Sequence, residues 1–218
     1  MNSRYLALLT LLSLPISATA SPKGPKYGAS EKIRETALPN GLVVHEYKLA
    51  NGMQLLLVPD HSAPVFTYMV WFKVGSATEK LDPRIGKTGL AHFFEHMMFR
   101  GTKKVPEGQL DIQLSRAGAV GENATTWLDR TNYFESLPKE KLELAFRLES
   151  DRMENLNIDE KGFKNELGAV IGELKMGKDK PARVASEKVW ELAFEKSPYK
   201  WTTIGTLEEL QSFTVADA

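Results

Sequence analysis

The sequence predicts an α+β fold built on an antiparallel sheet. Three observations point there. Apolar and β-branched runs separated by turn signals come first, over residues 42–74. Strand-like and helix-like stretches then mix without the strand–helix–strand rhythm of a parallel sheet. The chain of 218 residues is 42% hydrophobic and 26% charged, an ordinary globular mixture long enough to bury a sizeable core.

The elements follow in order. Residues 1–20, MNSRYLALLTLLSLPISATA, have a basic start, an apolar centre and small residues before Ser21, the layout of a signal peptide cleaved after Ala20. The apolar centre is about half of the roughly 20 residues a spanning helix needs, so no stable membrane anchor is expected. The product is then exported, periplasmic or secreted. Residues 21–39 read as a leader, with Pro22, Gly24, Pro25 and Gly28 at its start, and residues 40–218 as the folded domain. Asn51-Gly52 between the runs 42–49 and 53–58 predicts a hairpin. Val65–Val74 is apolar almost throughout, as a central buried strand would be, and Gly75–Thr88 reads as loop. LAHFFEHMMF, Leu90–Phe99, has no turn residue and predicts a buried helix.

Further helices are expected near Glu107–Ala117, after Pro138 with the face Leu142, Ala145, Phe146, Met153 and Leu156, over Asp159–Gly177, and over Arg183–Glu195. Ala124–Leu137 reads as strand. Thr214-Val215-Ala216-Asp217 has the form of a helix start just before the last residue, which reads as a C-terminal truncation.

Charge and cysteine content exclude several functions. Lys plus Arg and Asp plus Glu are 28 each, so no field of one sign favours nucleic acid. With no cysteine there is no disulfide scaffold, thiolate metal site or cysteine nucleophile. A metal site must use carboxylates and the four histidines, His45, His61, His92 and His96.

Two of those four stand in His92-Phe93-Phe94-Glu95-His96. On a helix, positions i and i+4 share a face, so His92 and His96 can grip one ion. Glu95 lies close to that face and can reach a water on the metal; the order is H-x-x-E-H. Two imidazoles suit zinc, and the lack of thiolates suits a hydrolytic site. Such a site needs a third protein ligand and an open position. His45, His61, and the pair Glu166 and Glu173, two turns apart on one helix whose Phe163, Leu167, Val170, Ile171 and Leu174 would anchor it in the core, are all candidates. Spacing alone does not separate the two carboxylates from a solvated acidic face.

Gly89 to Thr102, GLAHFFEHMMFRGT, resembles the metal-binding stretch of the pitrilysin family of zinc peptidases. Asn51-Gly52, Val74-Gly75-Ser76, Asn123-Ala124-Thr125-Thr126, Asp151-Arg152-Met153, Ser197-Pro198-Tyr199 and Ile204-Gly205 resemble further landmarks of that family, so the likeness covers most of residues 40–218. The 76 residues between His96 and Glu173 match the spacing at which the family places its ligand glutamate. The resemblance therefore implies His92, His96 and Glu173 as zinc ligands, Glu95 as general base, Glu166 as an accessory acidic residue, and the strand at Asn123 and Ala124 as the binding edge for an extended substrate. It implies an antiparallel sheet with helices packed on one face. It also implies peptide-bond hydrolysis, a peptide or unfolded-protein substrate, and a second homologous half or subunit, since family members are longer. Two other readings stand beside it: a non-catalytic subunit of the same fold, and a binding module with structural histidines.

Overall fold

The computed structural model describes residues 30–82 and 85–218. The expected signal peptide and the start of the leader lie outside the described residues. The described residues divide into two compact units, one ending at Ala63 and the other running from Pro64 to Ala218.

The first unit holds a three-stranded antiparallel sheet in the order β1 (Glu31–Ala37), β2 (Val43–Lys48), β3 (Gln54–Leu57). The hairpin between β2 and β3 turns where Asn51-Gly52 predicts. Gly52 has φ +88°, and the Met53 N–H donates to Asn51 Oδ1 at 3.0 Å. β1 falls inside the stretch read as leader. Its sequence, EKIRETA, has four charged residues in seven, which hides a strand from any apolar count.

The second unit holds β4 (Val65–Phe72), α1 (Ser76–Leu81), α2 (Leu90–Met97), α3 (Gln109–Arg116), β5 (Val120–Thr126), β6 (Thr131–Pro138), α4 (Leu142–Asn155), α5 (Glu160–Lys178), α6 (Pro181–Ala193) and α7 (Leu207–Gln211). Its strands form a second antiparallel sheet in the order β4-β6-β5. Among the described residues the strands make two sheets, and β6, not the apolar β4, is the middle strand of its sheet. β6 carries Thr131, Asn132 and Glu135, all buried, and these polar residues disguise its position. The single strand expected over Ala124–Leu137 is two strands joined at Leu128-Asp129, where the Trp127 N–H donates to the Arg130 carbonyl at 2.8 Å. Pro138 ends β6 and is followed by a 3₁₀ turn, Lys139–Lys141, before α4.

The helix expected at Leu90–Phe99 is α2, and that expected from Asp159 is α5, where Asp159 caps the N-terminus by accepting from the Gly162 N–H at 2.6 Å. The two pack on each other. Phe93 and Met97 of α2 are fully buried against Phe163, Val170 and Leu174 of α5, joined by Ile204, Leu210 and Phe213. The Phe93 and Phe163 rings meet edge to face at 4.9 Å. Each such aromatic or aliphatic side chain contributes about 1.5–3 kcal/mol by leaving water. On its other side α2 is followed by Met98, which packs with Ala124 of β5 and Tyr133 of β6. This core therefore fixes α2 against α5 on one side and the β5–β6 strands on the other. A separate core joins Leu110 and Leu114 of α3, Leu137 of β6, and Ala145 and Leu148 of α4. Of the face expected on α4, Ala145 is buried while Leu142, Phe146 and Met153 are exposed.

Among the described residues no helix is long and apolar enough to cross a membrane.

Candidate metal centre

α2 carries His92 and His96 one turn apart, with their rings edge to face at 4.7 Å. The packing of α2 on α5 brings Glu173 to them. Its Oε2 lies 3.6 Å from His92 Nε2 and 3.7 Å from His96 Nε2. One ligand atom from each of the three residues lies within 4.8 Å of the others. Ligand atoms on a tetrahedral zinc with bonds of about 2.0–2.1 Å stand about 3.4 Å apart, so the spacing suits one ion.

The hydrogen bonds around the imidazoles suit the same use. His96 Nδ1–H donates to Glu166 Oε1 at 2.9 Å, which turns the His96 Nε2 lone pair towards Glu173. That bond holds the Glu166 carboxyl below the usual range and raises His96. Glu166 Oε2 also lies 3.5 Å from Arg100 Nη1. Burial pushes His92 down to about 4, so its ring is neutral at pH 7, the form a metal requires. Its Nδ1 is buried without a hydrogen-bond partner while its Nε2 faces Glu173. Two neutral-capable imidazoles and one carboxylate, with a carboxylate behind one imidazole, fit zinc.

Glu95 projects from the same helix towards β5. Only 9% exposed, it accepts from Thr126 Oγ1–H at 2.5 Å. Burial raises its carboxyl, and the threonine bond opposes that rise. Glu95, His96, Arg100, Asn123 and Glu166 line one cleft of about 440 Å³. Asn123 and Ala124 lie on β5 opposite Phe134 and Tyr133 of β6. Asn123 Oδ1 accepts from the Ala124 N–H at 2.8 Å. Among the described residues β5 has a strand on one side only, which leaves an edge beside Glu95.

The structure thus gathers His92, His96 and Glu173, sets Glu166 on His96, and puts Glu95 and Asn123 in the adjoining cleft. His45 is not in the cluster; its Nδ1 lies 2.8 Å from Glu35 Oε1 across β1 and β2. Thr126 and Arg100 stand within the family-like stretches without a role read from the sequence, and Arg183, whose Nη1 lies 4.0 Å from Glu173 Oε1, stands outside them. No local spacing announces them, since each meets the site only through packing.

The model of the family Insulinase (Peptidase family M16) matches residues 54–207. The zinc protease PqqE of Helicobacter pylori is 33% identical over 171 residues, 78% of this chain and 37% of that protein. The mitochondrial-processing peptidase subunit beta of Rattus norvegicus is 26% identical over 211 residues, 94% of this chain and 41% of that protein. The crystal structure of a protease from Helicobacter pylori superposes with a TM-score of 0.74 at 32% identity, covering 80% of this chain and 41% of that one. The chain spans about two fifths of the length of these curated relatives. With a family match over most of its length and the same fold as a solved protease, this chain belongs to the M16 (insulinase) peptidase family.

Proposed function

We propose that this chain is the metal-bearing part of an exported zinc endopeptidase. The observation that carries the reading is the meeting of two imidazole nitrogens and one carboxylate oxygen within 4.8 Å, with a buried glutamate on the same helix. His92, His96 and Glu173 would hold the ion. When bound, zinc supplies Lewis-acid polarisation of a carbonyl and lowers the pKa of a water towards about 7. Glu95 would serve as the general base, accepting a proton from the attacking water and giving it to the leaving amine. Thr126 holds one oxygen of Glu95, which leaves the other for the proton. Glu166 fixes the tautomer of His96. The edge of β5 at Asn123 and Ala124 pairs with an extended peptide by main-chain hydrogen bonds. Residues 1–20 direct export, with Ser21 as the first mature residue.

The relatives are longer, and one of them is named as a subunit, which supports a second homologous half or subunit as partner. That half would position the substrate, a contribution worth several kcal/mol of barrier.

Glu95→Gln keeps the shape of the side chain and removes the base. It should keep zinc while hydrolysis of an unfolded peptide falls by at least about 10²-fold. His92→Ala should lose zinc and activity together. Equal zinc loss in both variants would contradict the separate role of Glu95. Full zinc occupancy without hydrolysis in the longest natural chain would favour a non-catalytic subunit.

A further inference from the structure

We propose that Glu79 is a positioning residue for the metal-bearing helix: its buried carboxylate grips the first turn of α2 and so sets where His92 and His96 point. The proposal rests on the zinc reading above.

The first N–H groups of any helix lack partners within it. α2 begins at Gly89, which has no side chain to cap them. Glu79, ten residues earlier in α1 and fully buried, does so from outside. Its Oε2 accepts from the Gly89 N–H at 2.8 Å and its Oε1 from the Ala91 N–H at 2.7 Å. Ala91 directly precedes His92, so the bond is one peptide away from a metal ligand. In its ionised form the carboxylate also complements the positive end of the helix.

The entry to α2 is held from a second side by backbone. A Cβ on Gly89 (φ +90°) would stand 2.5 Å from the Ile204 carbonyl oxygen, and one on Gly205 (φ +77°) 2.4 Å from that of Thr88. The helix start therefore sits between a carboxylate and a neighbouring chain segment, and its direction is set at both. No side chain can stand at residue 89 to cap these N–H groups, so the cap has to come from elsewhere. A cavity of about 320 Å³ beside Glu79 has apolar walls from Phe72, Leu90, Phe94 and Tyr133. Burial there pushes the Glu79 carboxyl up to about 8, opposed by its two N–H donors. Because its oxygens hold the N–H groups of Gly89 and Ala91, next to His92, the group bears on geometry as well as on stability.

The test uses the full chain, below the unfolding transition of every variant. Zinc affinity is read by chelator competition, and ligand geometry by the visible spectrum of the cobalt(II)-loaded protein. Glu79→Gln keeps the size but turns an NH₂ against one of the two N–H groups. It should weaken zinc binding at least about tenfold, the scale of other residues that orient metal ligands, and alter the cobalt bands. Leu148→Ala, in the separate core of α3 and α4, should lower the melting temperature and leave both readouts unchanged. Glu79→Asp keeps the charge with a shorter reach and should fall between Glu79→Gln and wild type. If Glu79→Gln does not fold, the Asp variant decides. A lower melting temperature with wild-type zinc affinity and cobalt spectrum would overturn the proposal and leave Glu79 a stability cap. A wild-type chain that takes up neither zinc nor cobalt would overturn the metal reading itself, and this role with it.

Discussion

Removing the carboxylate behind His96 should weaken zinc binding without abolishing it. In Glu166→Ala the His96 Nδ1–H loses its acceptor at 2.9 Å, and the ring is free to rotate or change tautomer. A hydrogen bond to a charged group contributes about 1.5–3 kcal/mol net. Both side chains are largely covered, at 27% and 17% exposure, so little of this is lost to solvent screening. Arg100 shares the Glu166 carboxylate, which places the figure in the lower part of the range. At 1.4 kcal/mol per factor of ten, zinc affinity should drop about 10- to 40-fold. Glu166→Gln keeps an oxygen for the Nδ1–H and loses only charge, so its loss should be smaller. Chelator competition at pH 7 measures both. Wild-type affinity in the alanine variant would refute the orienting role. Complete loss of zinc, equal to that of Glu173→Gln, would instead make Glu166 a ligand.

Three predictions concern the frame. Val170 of α5, fully buried in the core shared with α2, should cost about 2–3 kcal/mol on change to Ala, read from the urea midpoint; a change under about 0.5 kcal/mol would show a looser core. Gly205→Ala forces a Cβ to within 2.4 Å of the Thr88 oxygen at φ +77°, and should destabilise by more than the roughly 1 kcal/mol of conformational strain alone, where a neutral effect would deny the close approach. Glu135 is buried in β6, and burial, with Glu149 beside it and Arg152 opposing, raises its carboxyl to about 8. A folded-state value above the unfolded one gives stability that is complete below the unfolded value and lost as pH rises through 8, at up to about 1.4 kcal/mol per pH unit. Glu135→Gln should therefore raise the melting temperature relative to wild type more at pH 8.5 than at pH 5; an equal shift at both would contradict the assignment.

What was legible in the sequence is what local pattern controls. The helix bearing His92, Glu95 and His96 was readable because its pattern is complete within five residues. α5 was readable because Phe163, Val170 and Leu174 repeat at helical spacing and all face the core. β1 was not, because its residues are mostly charged. α1 was not, because six residues under a glycine cap carry no periodicity. The two strands β5 and β6 merged in the reading because the turn at Leu128-Asp129 has neither Gly nor Pro. The third ligand is a tertiary matter. Glu173 meets the histidines only because Phe93 and Met97 pack on α5, and spacing along the chain alone does not choose among Glu166, Glu173 and the other histidines. Thr126 on Glu95 and Glu79 under α2 are contacts of the same kind.

The proposed function stands on one zinc site formed by His92, His96 and Glu173. Zinc content and X-ray absorption of the purified chain, beside the Glu173→Gln variant, test it most directly. One zinc per chain is expected, with two imidazoles and a carboxylate in its coordination sphere, and a large loss of zinc in the variant. A chain that purifies without zinc and takes up none, or a variant with unchanged zinc and unchanged coordination, would contradict it.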